Sequence, residues 1–160
     1  MTESVLHATA QRVAAILRGR GVQGPFREFD TPTKTAADAA AALGCEVGAI
    51  ASTLVFMVDD EPVVVLKSGA FRVDTALLGS LLGATRVRQA TPDQVREATG
   101  QAIGGVSPVG WPARLRTFID DSLANYERLW AACGTPNAVF ATTYDELRSL
   151  TDATPVALRP

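Results

Sequence analysis

The sequence contains very little histidine and cysteine for its 160 residues. It has a single histidine, His7, and two cysteines, Cys45 and Cys133, that lie far apart in the chain. This set is too small for a usual zinc site, and a Ser-His-Asp or Cys-His apparatus would have to use His7 as its base. His7 falls near the start of an amphipathic pattern, which favours a surface position. We therefore expect no metal, no cofactor and no histidine-dependent nucleophile.

The sequence also has a small net charge and lacks long apolar runs. Fifteen basic residues oppose seventeen acidic ones, which excludes a histone-like or arginine-tail polyanion binder. No apolar run approaches the roughly 18 residues that a membrane span needs, and the N-terminal segment has the reverse of a secretory signal's charge pattern. Two widely spaced cysteines are more typical of free thiols in a reducing compartment than of a disulfide. The sequence predicts a cytoplasmic protein with a single domain over residues 1–160.

Helical and strand-like patterns alternate without a strict βαβ rhythm. Helices are predicted at 3–18 (within an N-terminal segment 1–20), 35–43, 74–82, 91–100 and 143–150, with Asp74 as a cap and capping boxes at Thr91 and Thr143. Strands are predicted at 26–29, 53–58, 62–66, 84–88, 117–119, 127–130, 138–141 and 155–158. The apolar runs 53–58 and 62–66 indicate a central hairpin covered on both faces. This favours an α+β (mixed α/β) fold over a Rossmann or flavodoxin fold.

A glycine-rich loop at 104–112 (GGVSPVGWP) is the first candidate for chemistry. Its three glycines and two prolines give the backbone an unusual path. Such a loop can present its N–H groups to a carbonyl or phosphate oxygen. It is not a Walker A loop, because no Gly-Lys-Ser/Thr follows it. A tight structural turn is the alternative interpretation, and Trp111 and Trp130 are more typical of a core or pocket wall than of base stacking.

The segment 67–74 (KSGAFRVD) is the second candidate, because a lysine and an arginine at a strand end can hold a phosphate. The alternative is that Arg72 pairs with a nearby carboxylate on the surface. Asp120 and Asp121 form a carboxylate pair that suggests acid–base work. A cap on the turn that follows is the competing interpretation.

Four stretches together resemble a known family, the YbaK / prolyl-tRNA synthetase editing-domain (INS) superfamily. They are 35–44 (TAADAAAALG), 52–56 (STLVF), 68–74 (SGAFRVD) and 99–110 (TGQAIGGVSPVG), and the stretch 126–140 fits the C-terminal half of the same family. The resemblance runs from about residue 21 to residue 157, and the order of the motifs makes it specific. It implies the fold of that family, a mostly antiparallel mixed sheet with flanking helices.

The resemblance further implies a stand-alone deacylase that hydrolyses the ester of mischarged aminoacyl-tRNA in trans. The partner is then the acceptor end of a mischarged tRNA, and a homodimer stays open. The family's G-x-x-x-P element falls on Gly104 to Pro108, whose backbone amides would polarise the ester carbonyl, while water attacks with help from the terminal hydroxyl of the tRNA. The candidate catalytic residues are Gly104, Gly105, Ser107, Pro108 and Lys67. The candidate substrate-binding residues are Ser52, Leu54, Ser68, Gly69, Arg72, Val106, Trp111 and Asp120.

The sequence departs from the family pattern at three positions. Ser52 stands where relatives commonly carry a lysine that holds the terminal phosphate. Phe71 and Trp111 stand where many relatives carry histidine. The hairpin would place Lys67 beside Ser52, since the two are about symmetric around Asp59 and Asp60, so Lys67 is the candidate replacement.

Two other functions stay open at this point. One is a catalytically weakened or inactive paralogue that binds tRNA ends, a nucleotide or a protein. The other is an unrelated metabolite-binding domain. A local basic patch would suffice for contact with a tRNA acceptor end, and its candidate members are Arg72, Arg86, Arg88, Arg114 and Arg116.

Overall fold

A computed structural model describes residues 8–31, 33 and 35–158 of the chain. The helices are α1 (Ala8–Gly19), α2 (Ala36–Leu43), α3 (Thr75–Leu82), α4 (Pro92–Thr99) and α5 (Tyr144–Thr151), with short 3-10 turns at Val47–Ala49 and Asp121–Asn125. The strands are β1 (Phe26–Glu28), β2 (Ile50–Val58), β3 (Glu61–Ser68), β4 (Val87–Gln89), β5 (Arg116–Asp120), β6 (Leu129–Ala132), β7 (Ala138–Thr142) and β8 (Thr154–Val156). The predicted start of the first helix, His7 and Lys34 lie outside the described residues.

The strands form one mixed sheet in the order β1-β7-β6-β2-β3-β5-β8, with β4 paired to β2. The pairs β1–β7, β6–β7, β2–β3 and β2–β4 are antiparallel, whereas β2–β6, β3–β5 and β5–β8 are parallel. The predicted mixed sheet with a majority of antiparallel pairs is confirmed. The helices cover both of its faces, which explains why the central strands are apolar at almost every position.

The central hairpin forms as predicted, with β2 and β3 joined by a two-residue turn. Asp59 and Asp60 both have positive φ angles, 48° and 69°, which is the pattern of a type I′ turn. The Asp59 carboxylate accepts hydrogen bonds from the backbone N–H groups of Thr85 (3.1 Å) and Arg86 (2.8 Å). These bonds hold residues 85 and 86 to the turn, so β4 begins at Val87, later than the predicted strand 84–88.

Three clusters of buried side chains make up the core. The largest packs α1, α4 and α5 against one face of the sheet, through residues such as Leu17, Val95 and Leu147. On the opposite face, α3 packs through Leu78 against the β2–β3 hairpin. Beside it, α2 packs over a third cluster that contains Trp130. Helices α2 and α3 therefore share one face of the sheet.

The predicted helix caps are mostly present. Asp74 accepts from the N–H groups of Ala76 and Leu77 at the start of α3, and Thr91 forms a complete capping box with Gln94. At α5 the predicted box is only half formed. Thr143 accepts from the Glu146 N–H, but the Glu146 carboxylate accepts from the Thr142 hydroxyl instead of closing the box.

None of the helices in the described part of the chain has the length and apolar character that crossing a membrane requires.

Both cysteines are free thiols, as the sequence predicted. Cys133 is fully buried beneath α1, and its thiol donates to the Ala10 carbonyl over 3.6 Å. Burial raises the pKa of the Cys133 thiol to about 12. Cys45 is partly exposed at the end of α2, and burial raises the pKa of its thiol less.

These environments predict that iodoacetamide at pH 8 modifies Cys45 much faster than Cys133, because the thiolate is the nucleophile. Peptide mass spectrometry after timed labelling of the native protein measures both rates, and labelling in urea is the control in which the two should converge. Equal native rates would contradict the packing of α1 over Cys133.

Candidate functional site

A cavity of about 240 Å³ opens in the sheet beside the middle of β2. On this flank, β2 pairs with β6 only at Ile50 and Ala51 and with β4 only from Phe56 onward. Between them no strand of the described residues is paired to this edge of β2, and the Ala90 N–H donates to the Val55 carbonyl at the border of the gap. The cavity fills this gap and extends beneath the start of α2.

The cavity wall is apolar with scattered neutral polar groups. The described lining residues include no charged or ionisable side chain. Its polar members carry hydroxyl or amide groups and come from four separate parts of the chain: Thr33, Thr35, Ser52, Thr53, Gln89 and Thr135. Its apolar members include Ala36, Ala39, Ile50, Leu54, Val55, Ala90, Val95, Val106, Trp130 and Val139. The cavity therefore suits a small, uncharged group better than a charged one.

The glycine-rich loop forms one wall of the cavity through Gly104 and Val106. Gly104 has a φ of +87°, which favours glycine. Gly105 lies directly against the backbone of the neighbouring loop, since a Cβ atom placed on it would come within 2.4 Å of the Thr135 carbonyl carbon and 2.6 Å of the Pro136 nitrogen. Glycine at 105 is what allows the two loops to meet and close this side of the cavity.

Internal hydrogen bonds hold the loop in shape and use three of its amides, including that of Val109, which donates to the Ser107 hydroxyl oxygen over 3.4 Å. The Gly105 N–H donates to the Ala102 carbonyl (3.0 Å), and the Ser107 N–H donates to the Gln101 side-chain oxygen (2.7 Å). Gln101 also donates to the Val109 carbonyl (2.9 Å), and it is almost fully buried. Gln101 thus serves as an internal brace, a role that the sequence analysis missed because glutamine carries no motif.

The remaining predicted members of the loop lie outside the cavity lining. Ser107 is completely buried, and its hydroxyl donates to the Val109 carbonyl. Pro108 is buried behind it. The Trp111 indole N–H donates to the Ser107 carbonyl over 3.0 Å. These three residues support the loop from behind, while Gly104 and Val106 face the cavity.

The segment after β3 also lies outside the lining and holds neighbouring elements together. The Ser68 hydroxyl donates to the Gly48 carbonyl (2.8 Å). Gly69 lies so close to α2 that a Cβ atom on it would come within 2.7 Å of the Ala36 Cβ and 2.5 Å of the Val47 carbonyl oxygen. Since Ala36 lines the cavity, Gly69 positions the helix that roofs it, while Ser68, the last residue of β3, holds the 3-10 turn Val47–Ala49.

Lys67 stands directly opposite Ser52 in the β2–β3 ladder, as the symmetry about the turn predicted. It is not part of the cavity lining, whereas Ser52 is. Its ammonium group donates to the Ser68 carbonyl (2.9 Å) and the Phe71 carbonyl (2.5 Å). Burial lowers the pKa of Lys67, nearby Asp120 opposes that shift, and Arg72 adds to it. Two of the three donors of the ammonium are occupied, which leaves one for a ligand.

Asp120 is completely buried at the end of β5. One carboxylate oxygen accepts from the Ser122 hydroxyl, and the other accepts from the Leu158 N–H over 3.5 Å. Asp120 precedes the 3-10 turn Asp121–Asn125 but makes no side-chain cap to its backbone. Asp120 contributes to the site through its negative charge, which favours the charged form of nearby Lys67.

The arginines expected in a basic patch have different surroundings. Arg114 forms a hydrogen-bonded ion pair with Asp152, Arg88 donates to the Gln94 side chain, and Arg116 stacks on Phe118. Of the five, Arg72 is the one whose charge acts on Lys67.

Two exposed arginines that the sequence analysis did not select, Arg27 and Arg128, lie over the ring of Trp130 at 5.1 and 5.8 Å from its centroid. Trp130 is itself a cavity wall, so these two cations lie close to the cavity. Arg27 comes from β1 and Arg128 directly precedes β6, so their shared contact with Trp130 has no local signal in the sequence.

Among the described residues, no group of three histidine, cysteine or acidic side chains is arranged to hold a metal ion.

Residues 30–150 match the family model described as an aminoacyl-tRNA editing domain. The chain is 31% identical over 121 residues to the uncharacterized protein YwhH of Bacillus subtilis (strain 168), which covers 75% of this chain and 76% of that protein. It is 37% identical over 105 residues to a proline–tRNA ligase of Nitratidesulfovibrio vulgaris (strain DP4), covering 65% of this chain but only 18% of the ligase.

The fold is also that of a solved protein proposed as a trans-editing enzyme for prolyl tRNA synthetase. The two structures share a TM-score of 0.90 at 42% sequence identity, with 98% of this chain and 99% of that chain covered. The match to this solved structure extends over nearly the whole of both chains, in contrast to the match with the ligase.

The contact between Gly105 and the Thr135–Pro136 backbone predicts that Gly105→Ala is destabilising. The added methyl group meets backbone atoms that cannot move aside, so the two loops must separate, at a cost of about 1–3 kcal/mol in the free energy of unfolding. Urea denaturation measures this change. Gly19→Ala at the end of α1 is the matched control, because a Cβ atom there meets nothing within 4 Å. A Gly105→Ala protein as stable as the wild type would show that the loops are not in contact.

Proposed function

Because the chain belongs to the aminoacyl-tRNA editing domain family, we propose that it hydrolyses the ester bond of mischarged aminoacyl-tRNA in trans. The observation that carries this proposal is the cavity beside β2, which is bordered by Gly104 and Val106 of the glycine-rich loop. A small neutral cavity bordered by this loop suits an amino acid held by its ester. The solved protein that shares this fold is itself proposed as a trans-editing enzyme, which supports action in trans.

The ester carbonyl is polarised by backbone N–H groups of the loop. The Gly105 and Ser107 amides already donate within the protein, so Gly104 and Val106 supply the donors that point to the ligand. As water adds to the carbonyl carbon, the carbonyl oxygen becomes an anion and these N–H bonds strengthen. Preorganised donors of this kind are each worth roughly 10²–10³ in rate.

The water is activated without a side-chain base, since the described lining has no ionisable group. The free hydroxyl of the terminal ribose is adjacent to the ester and can orient the water. The bond between the carbonyl carbon and the ribose oxygen then breaks, the ribose oxygen takes up a proton, and the free amino acid and the uncharged tRNA leave.

Lys67 replaces the lysine that family members carry at the position of Ser52, and it binds the terminal phosphate of the tRNA. It lies directly opposite Ser52 in the β2–β3 ladder, and one of its three ammonium donors is free. Asp120 favours its charged state, and Arg72 adds a second positive charge nearby.

Ser52 and Leu54 contact the aminoacyl end, since both line the cavity. The proline–tRNA ligase relatives make tRNAPro the tRNA to test first.

This function predicts release of amino acid from at least one mischarged tRNAPro in a panel of aminoacyl esters. Lys67→Ala should reduce kcat/KM about 10–100-fold, because the phosphate loses a charge-assisted hydrogen bond. The slope of log kcat/KM against log salt should also fall by about 0.7, the value for one contact to a single strand. Timed release of radiolabelled amino acid at several salt concentrations gives both quantities.

Arg12→Ala is the matched control, since Arg12 is exposed on α1, which packs on the face of the sheet opposite α2 and α3. A purely structural role of Lys67 in holding the Phe71 carbonyl would lower the melting temperature and leave the salt slope unchanged. An unchanged rate and slope would exclude Lys67 from phosphate binding. Absence of release from every ester would contradict the deacylase function.

A further inference from the structure

Two buried hydroxyl groups at the cavity have no hydrogen-bond partner within the described residues. They are the side-chain oxygens of Thr53 and Thr135, and both threonines line the cavity. Thr53 is 8% exposed. A buried polar group without a partner destabilises a protein by about 1–3 kcal/mol, and such groups are rare in folded proteins. Two of them at one cavity indicate a partner that enters the cavity.

The position of Thr53 in the sheet strengthens this indication. The Gly69 N–H donates to the Ile50 carbonyl, so Ile50, Ser52 and Leu54 direct their backbone groups toward β3. In an antiparallel ladder the intervening residues direct theirs to the other side. Thr53 therefore turns its N–H and C=O into the gap between β6 and β4. Its hydroxyl, amide and carbonyl thus place three polar groups of one residue beside the cavity.

The cavity also limits the size and charge of what it can hold. Its volume of about 240 Å³ equals roughly eight waters at about 30 Å³ each, which is room for a small aminoacyl group. The described lining has no carboxylate or cation to pair with a charged side chain, so charged amino acids are disfavoured. The remaining small amino acids divide into those with a side-chain hydroxyl and those without.

We propose that the cavity selects aminoacyl groups that carry a side-chain hydroxyl, serine or threonine, over their apolar isosteres. Thr53 and Thr135 are the residues that determine this specificity. The inference rests on the deacylase function proposed above and adds the class of amino acid removed.

The physical basis is that apolar sites and hydrogen-bonding sites differ in how well they discriminate between isosteres. A purely apolar pocket cannot reject an isostere that merely adds a hydroxyl, whereas a site built to hydrogen-bond a hydroxyl rejects the analogue that lacks it. With threonine bound, its hydroxyl gives the buried threonines a partner. With valine bound, they stay unpaired in a cavity from which water is displaced, and the complex is weaker.

The experiment compares hydrolysis of threonyl- and valyl-tRNAPro, and of seryl- and alanyl-tRNAPro, by the full chain and by its variants. We expect the wild type to favour the hydroxyl-bearing ester of each pair by about 10-fold or more in kcat/KM. Thr53→Val should reduce this preference about fivefold or more, mainly by slowing hydrolysis of the hydroxyl-bearing ester, and Thr53→Ser should retain the preference. Thr135→Val should act in the same direction.

Thr117→Val is the matched control, because Thr117 is also buried but its hydroxyl donates to the Leu115 carbonyl (2.9 Å) and it does not line the cavity. This variant should keep the preference even if it is less stable. Equal rates for the two esters of each pair, or a preference for valine and alanine, would overturn the inference while leaving the deacylase function intact.

A second measurement separates the two proposals if no ester is hydrolysed. Threonyl- and valyl-adenosine with an amide in place of the ester cannot be cleaved, and calorimetry gives their dissociation constants. Tighter binding of the threonyl compound by about 10-fold, lost in Thr53→Val, would support the selectivity although the hydrolytic function had failed. Equal affinities would overturn it.

Discussion

The site depends on the way strand β2 changes partners along its length. One edge of β2 is bonded to β3 over the whole hairpin, which fixes it rigidly in the sheet. Its other edge is bonded to β6 at its start and to β4 at its end. The unpaired middle creates the cavity and turns backbone groups of Thr53 into it. An interrupted ladder thus supplies both the space and the polar groups for the proposed recognition, at the centre of the sheet.

The elements around this gap are held by contacts that only small residues permit. Gly105 brings the glycine-rich loop onto the Thr135–Pro136 backbone, and Gly69 brings the segment after β3 onto the start of α2. Gln101 and Trp111 then brace the loop from behind. The proposed chemistry needs no strong base or nucleophile from the protein, because fixed amides polarise the ester carbonyl and a substrate hydroxyl orients the water. This agrees with a chain that contains a single histidine.

Local rules predicted much of this structure from sequence. The hairpin, the caps at Asp74 and Thr91, and the pairing of Ser52 with Lys67 all follow from neighbouring residues and the alternation of a strand. The cavity lining could be predicted only in part, since Thr53, Ala90, Val106 and Thr135 are brought together by strand order rather than by spacing. The burial of Ser107 and the role of Gln101 depend on how one loop folds back on itself, for which the sequence carries no periodic signal. The family resemblance, by contrast, rests on motif order and was confirmed over residues 30–150.

The central claim is that the gap beside β2 receives the aminoacyl end of the tRNA. A crystal structure of the full chain with amide-linked threonyl-adenosine tests it most directly. The account predicts that the amino acid lies in the gap, with its hydroxyl hydrogen-bonded to Thr53 or Thr135 and its carbonyl oxygen facing the Gly104 and Val106 amides. An analogue bound elsewhere on the sheet, with the gap empty or filled only by water, would contradict the account.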